Sequence, residues 1–176
     1  MPLFGQKSDR PTLDGLTKDE TRMRDALTPE VMRRAGETGV AGQAPAAAAI
    51  LLEKIAAEQD AFLWPHLYGM QMMSARRFDQ AVESFQTAIG RSPNEVRGYF
   101  GLANAYFEAA EDKRVQEGSA AFTGPMATMT IDNLYHEALR NFRRAYELTD
   151  DRGERAKLSS TISNVEKAIA RKAGRI

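Results

Sequence analysis

The chain has 176 residues, enough for one domain with a buried core and too few for two large lobes. Its 24 Lys and Arg side chains balance 24 Asp and Glu, so no overall field steers it towards nucleic acid or an anionic membrane. The absence of cysteine excludes disulfides, thiolate metal sites and cysteine nucleophiles, and it is compatible with a reducing compartment.

The first residues, Met1 to Asp9, hold only a short apolar patch (Leu3, Phe4) ahead of mixed charge, unlike a secretory signal. Two helix starts come next. Thr17-Lys18-Asp19-Glu20 reads as a capping box, and Thr28-Pro29-Glu30 as an N-cap with proline in the first turn, which predicts short helices over 18–27 and 29–36. Their apolar content is thin (Met23, Leu27, Val31, Met32), so they become ordered only against something else. Gly36, Gly39 and Gly42 make Glu37 to Gln43 the best linker, which defines residues 1–44 as an N-terminal arm, partly flexible with short helices.

A flanking helix is expected from Pro45 to Asp60, with Ala47, Ala48, Leu51, Ile55 and Phe62 on one apolar stripe. The apolar run Ala44 to Leu52 inside it is about half of what crosses a bilayer, so no integral membrane segment is expected. Trp64-Pro65 starts the next pair of helices, near 64–75 and 78–90. Ser92-Pro93-Asn94-Glu95 then reads as a further capping signal, and no breaker interrupts the chain from Val96 to Glu117. The stretch 118–131 is loop-like in Gly118, Gly124 and Pro125 yet apolar in Phe122, Met126, Met129 and Ile131. Such a stretch either folds back over the long helix or faces a partner. A helix over 132–148 and a capped restart at Asp151 complete the chain, with Leu158, Ile162, Val165 and Ile169 forming the stripe of a closing helix.

One spacing recurs. Pro65, Tyr68, Gly69 and Met72 are matched 34 residues later by Tyr99, Leu102, Ala103 and Tyr106. Ala81, Phe85, Ala88 and Pro93 are matched by Ala138, Phe142, Ala145 and Asp150 after an additional 23 residues. This register resembles the tetratricopeptide repeat (TPR), a helix-turn-helix unit with large, small and aromatic residues at these offsets. Pro65 stands where the family usually has a large aromatic residue, Met72 replaces an aromatic one and Asp150 replaces the terminal proline.

The resemblance implies an all-α fold: a short solenoid of antiparallel helix pairs over 45–176. Residues 45–61 flank it, 62–95 form repeat 1, 96–150 form repeat 2 with an insertion near 111–133, and 151–176 cap it. In that family the first helix of each unit lines a concave groove, which here places Leu63, His66, Met70, Met73, Arg97, Phe100, Asn104, Phe107 and Glu108 on a mainly apolar, peptide-binding surface. The groove is either open, or filled by the arm, by the inserted loop or by a second copy of the chain.

The expected function is that of a cytoplasmic, non-catalytic protein–protein interaction module: an adaptor, assembly factor or small chaperone binding a protein or peptide segment. The alternative is an obligate structural subunit contacting its assembly through the arm and the inserted loop. A homo-oligomer is a further partner class. No cofactor or metal is expected: His136-Glu137 has no second histidine at metal-ligand spacing, and no phosphate loop is present. Nucleic acid is disfavoured because Glu137 and Glu147 dilute Arg140, Arg143 and Arg144.

Overall fold

The computed structural model describes residues 11–37, 43–116 and 124–172, with the side chains of Gln116 and Lys172 left aside. Among the described residues every regular element is an α-helix. In chain order these are α1 (Lys18–Asp25), α2 (Thr28–Glu37), α3 (Gln43–Ala57), α4 (Leu63–Ser74), α5 (Phe78–Arg91), α6 (Val96–Gln116), α7 (Pro125–Thr128), α8 (Ile131–Leu148) and α9 (Arg152–Lys172). Most of the linker expected around 37–43 and part of the inserted stretch, including Phe122, lie outside the described residues.

The helix starts are written in local chemistry. Thr17 caps α1 reciprocally: its hydroxyl accepts from the Glu20 N–H at 3.1 Å, and the Glu20 carboxylate accepts from the Thr17 N–H at 2.8 Å. Thr130 caps α8 through the Asn133 N–H, and Asp151 accepts from the Glu154 N–H at 2.8 Å ahead of α9. At Ser92 the expectation fails: this residue ends α5, its N–H bonding to the Ala88 carbonyl, and α6 begins only at Val96 after a turn. Pro93 removes the N–H of its own residue, and the Glu95 N–H returns to the Ser92 carbonyl instead of extending a helix. The α4–α5 corner holds a surprise, because Arg76 takes φ +56° at the position where glycine usually closes a helix. The Arg76 and Arg77 N–H groups bond there to the Met73 and Met72 carbonyls.

Packing proceeds largely between neighbours: α2 on α3, α3 on α4, α4 on α5, α5 on α6, α6 on α8 and α8 on α9, with α4 also touching α6. The main core holds Phe85, Phe142, Tyr135, Leu134, Leu158 and Val165, all buried, and buried alanines (Ala81, Ala88, Ala103, Ala138, Ala145) admit the neighbouring helices closely. Phe85 sits between two helical glycines. A Cβ at Gly69 would lie 2.8 Å from its ring, and one at Gly101 would lie 2.5 Å away.

The arm leans on the body, as its thin apolar content requires. Neither α1 nor α2 buries a residue. Instead Leu13 is 2% exposed within the main core, while Leu16 and Leu27 pack on a smaller cluster of Leu51, Leu63, Trp64 and Leu67. Arg97, 4% exposed, grips the arm by a two-pronged ion pair with Glu20 (2.7 and 2.9 Å) and a bond to the Gly15 carbonyl. The described end of the inserted stretch folds back: Met126 is buried, its N–H donates to Asp79 at 2.9 Å, and Lys113 donates to the carbonyls of Met126, Ala127 and Met129.

Candidate functional site

α4 and α6 run beside each other with the side of α5 behind them, and the turn at residues 12–15 lies over one end of the cleft they leave. The cleft contains a cavity of about 360 Å3. Its floor is Phe85 and Phe100, both largely buried. Met70, Met73 and Phe78 form one wall, and Gly101 and Asn104 on α6 form the other. Leu13 and Asp14 close one end, and Arg76 and Glu108 stand at its margin.

Two kinds of polar group meet this apolar interior. Those at the rim are mostly compensated: Asp14 pairs with Lys157 at 3.0 Å, which holds its carboxyl below the usual range, and Arg76 pairs with Asp112. His66 is different. It is 3% exposed, neither ring nitrogen has a hydrogen-bond partner among the described residues, and its ring lies between Phe62 (centroids 5.0 Å apart, stacked) and Phe85 (5.7 Å). Burial, reinforced by the nearby Arg97 cation, pushes its pKa down to about 4, against the smaller opposing pull of Glu20 and Glu95. It is therefore a neutral imidazole at neutral pH.

Of the residues expected to line a groove, the structure gathers His66, Met70, Met73, Phe100, Asn104 and Glu108 around this cavity. Leu63, Arg97 and Phe107 are placed elsewhere. Leu63 packs with Leu51, Trp64 and Leu67 beneath α3, because the flanking helix covers that side of α4. Arg97 is consumed by Glu20, Glu95 and the Gly15 carbonyl; burial opposes its charge, but these carboxylates outweigh it and raise its pKa. Phe107 packs against Tyr135 of α8, ring centroids 6.0 Å apart.

Leu13, Asp14, Arg76, Phe78, Phe85 and Gly101 complete the lining without having been singled out for it. Leu13 is a lone leucine in a turn segment, and no periodicity marks it. Gly101 carried a signal, a glycine one residue before the repeat's Leu102.

A second hollow of about 350 Å3 lies between α2, α3 and α4, bounded by Leu27, Val31, Met32, Ala47, Leu51 and Leu67. Among the described residues no cluster of three or more His, Asp or Glu side chains is arranged to hold a metal ion, and no helix is long and apolar enough to cross a membrane. The described residues thus form an all-α protein with an apolar cleft between two neighbouring helices, a buried imidazole bordering it that has no hydrogen-bond partner among them, and part of the chain's own arm at one end. No protein-family model matches the chain, and no curated protein matches it.

Proposed function

We propose that this is a tetratricopeptide-like interaction module, with α4–α5 and α6–α8 as its two repeat units, whose α4–α6 cleft accepts a segment of another protein without catalysis. An adaptor, an assembly factor and a small chaperone all fit that role, in the cytoplasm. The observation that carries the reading is the cavity itself: a solvent-reachable space walled by methionine and phenylalanine, residues that adapt to and bury an apolar anchor. Compensated basic side chains speak against nucleic acid, since Arg140, Arg143 and Arg144 pair with Glu137, Glu166 and Glu147.

Panning a displayed peptide library against the full chain tests the reading. Met70 is 38% exposed, so Met70→Arg leaves the fold intact while placing a charge at the mouth. Enriched peptides should bind wild type and lose tenfold or more in affinity for the variant at unchanged helicity. Peptides that bind both proteins equally, or no enrichment, would refute the cleft as the contact face.

A second reading, an obligate subunit docked through the arm, draws on Met32, which is exposed and borders the α2–α3 hollow, and on the exposed Met23 of α1. It predicts that Met32→Glu, not Met70→Arg, abolishes assembly.

A further inference from the structure

The arm from Pro11 to Asp25 is held to the body much as a bound peptide would be. No residue of α1 is buried, and α1 makes no extensive contact with another helix. A few side-chain contacts spaced along the segment do the holding. Leu13, 2% exposed, inserts into the main core, and Asp14 pairs with Lys157 of α9 at 3.0 Å. The Gly15 carbonyl and the Glu20 carboxylate both accept from Arg97 of α6. The fit is incomplete, for a hollow of about 90 Å3 is left beside Pro11, Leu13 and Arg97.

The seat under this segment belongs to the body and has a defined charge. Arg97 lies 5.0 Å from the centre of the Phe62 ring, and Lys157 lies 5.4 Å from that of Phe100, so each cation rests on an aromatic face. The carboxylates of the body beside them are engaged: Glu95 pairs with Arg97, and Glu154 accepts from the Thr149 hydroxyl. Two cations around an apolar seat favour an acidic occupant, and the buried one demands it. Arg97 is 4% exposed, so removing Glu20 without a replacement leaves a buried guanidinium short of a carboxylate. Leu13 and Asp14 also close one end of the α4–α6 cleft, where a segment running the length of the cleft meets them.

Taking the cleft as a protein-binding face, we infer that residues 12–20 are its resident occupant and that a partner segment displaces them by offering the same chemistry. That segment carries a leucine-like anchor with a carboxylate beside it for Lys157, and a second carboxylate several residues further on for Arg97. The arm is thereby autoinhibitory, and an acidic, leucine-bearing segment is what releases it.

The test uses the full chain, as wild type and as the Leu13→Ser/Glu20→Gln variant, with a fluorescein-labelled peptide of residues 11–25 as the probe. Apparent affinity falls with the fraction of molecules whose seat is free, so the probe should bind the variant at least about tenfold more tightly than wild type. Towards the variant, a probe carrying Glu20→Gln should lose about tenfold, as for a hydrogen bond between charged groups. One carrying Asp14→Asn should lose about two- to fivefold, as an exposed charge pair allows. In wild type, hydrogen exchange at Gly15 and over α1 should be at least about tenfold faster than in α5 and α6, because a displaceable segment opens on its own.

Exchange at Gly15 that occurs only together with α5 and α6 overturns the inference. So does a double variant that no longer folds, because the body must stand with the arm released. Equal probe binding by both proteins, no binding by either, or indifference to Glu20→Gln in the probe overturns it as well. Wild type that dimerises with its arm crosslinked to the other copy's α6 would give the seat to a second copy instead of a partner. Library peptides that bind at Met70 equally well in wild type and variant, with no preference for carboxylates, would sink this inference and leave the interaction role standing.

Discussion

Replacing Gly101 by alanine probes the close approach on which the cleft floor depends. The new Cβ would lie 2.5, 2.7 and 2.8 Å from three carbons of the Phe85 ring, distances at which something must shift. The ring cannot retreat easily, being 1% exposed with Gly69 pressed on it and His66 5.7 Å away. Alanine gains about 1 kcal/mol in helix propensity, but overpacking a filled core costs about 1–3 kcal/mol, so the net change runs from about zero to a loss of about 2 kcal/mol. Gly90→Ala in α5 separates the two effects, because a Cβ there meets nothing within 4 Å and the variant should gain up to about 1 kcal/mol. In thermal unfolding the two variants should therefore differ by about 1–3 kcal/mol, roughly 3–10 °C in Tm, with Gly90→Ala the more stable. Phe85→Leu should cost less in the Gly101→Ala background than in wild type, since the contacts are shared. Equal stability of Gly101→Ala and Gly90→Ala would refute the packing argument.

Other expectations arise from the buried polar groups. His66 binds its proton at about pH 4 when folded and near 6.5 when free, so the unfolded chain takes up more protons in between. Stability from this residue is complete above pH 6.5 and falls as pH drops towards 4, by about 3 kcal/mol in all. His66→Phe should remove that slope relative to wild type in pH-dependent urea denaturation; parallel curves would contradict the assignment. Glu20→Gln should leave one side of Arg97 without its carboxylate, costing about 1–3 kcal/mol because Glu95 still pairs with it. Hydrogen exchange should then accelerate over residues 12–25 before the main core responds. Lys113→Met should strip three carbonyls of their common donor and speed exchange over 124–130, with a Tm loss of a few degrees.

The helices were legible where local chemistry sets them. The Thr17 capping box, the Asp151 restart and the stripe of Leu158 and Val165 all read directly, because each depends on neighbours in sequence. Ser92 misled for the same reason: its pattern suits an N-cap, but α5 reaches it first and Pro93 delays the next helix. The cleft was legible only in part. Helical position places His66, Met70, Phe100 and Asn104 along adjoining elements, yet it cannot say what covers a neighbouring residue. Arg97 was read as groove lining because only the fold brings Glu20 to it, 77 residues away. Leu63 was read the same way because the packing of α3 is not encoded in α4. The signal of Gly101 stayed unread as lining, since a helical glycine gains that meaning only when the ring pressed against it is known.

The central claim is that the α4–α6 cleft is where this protein meets another. Site-specific photo-crosslinking in cells tests it most directly, with the reactive residue placed in turn at Met70 in the cleft, at Met32 on the arm and at exposed Glu147 on α8. A defined protein adduct formed at position 70, weak or absent at 32 and 147, is the predicted result. Adducts at 32 but not at 70, or the same adducts at all three positions, would contradict it.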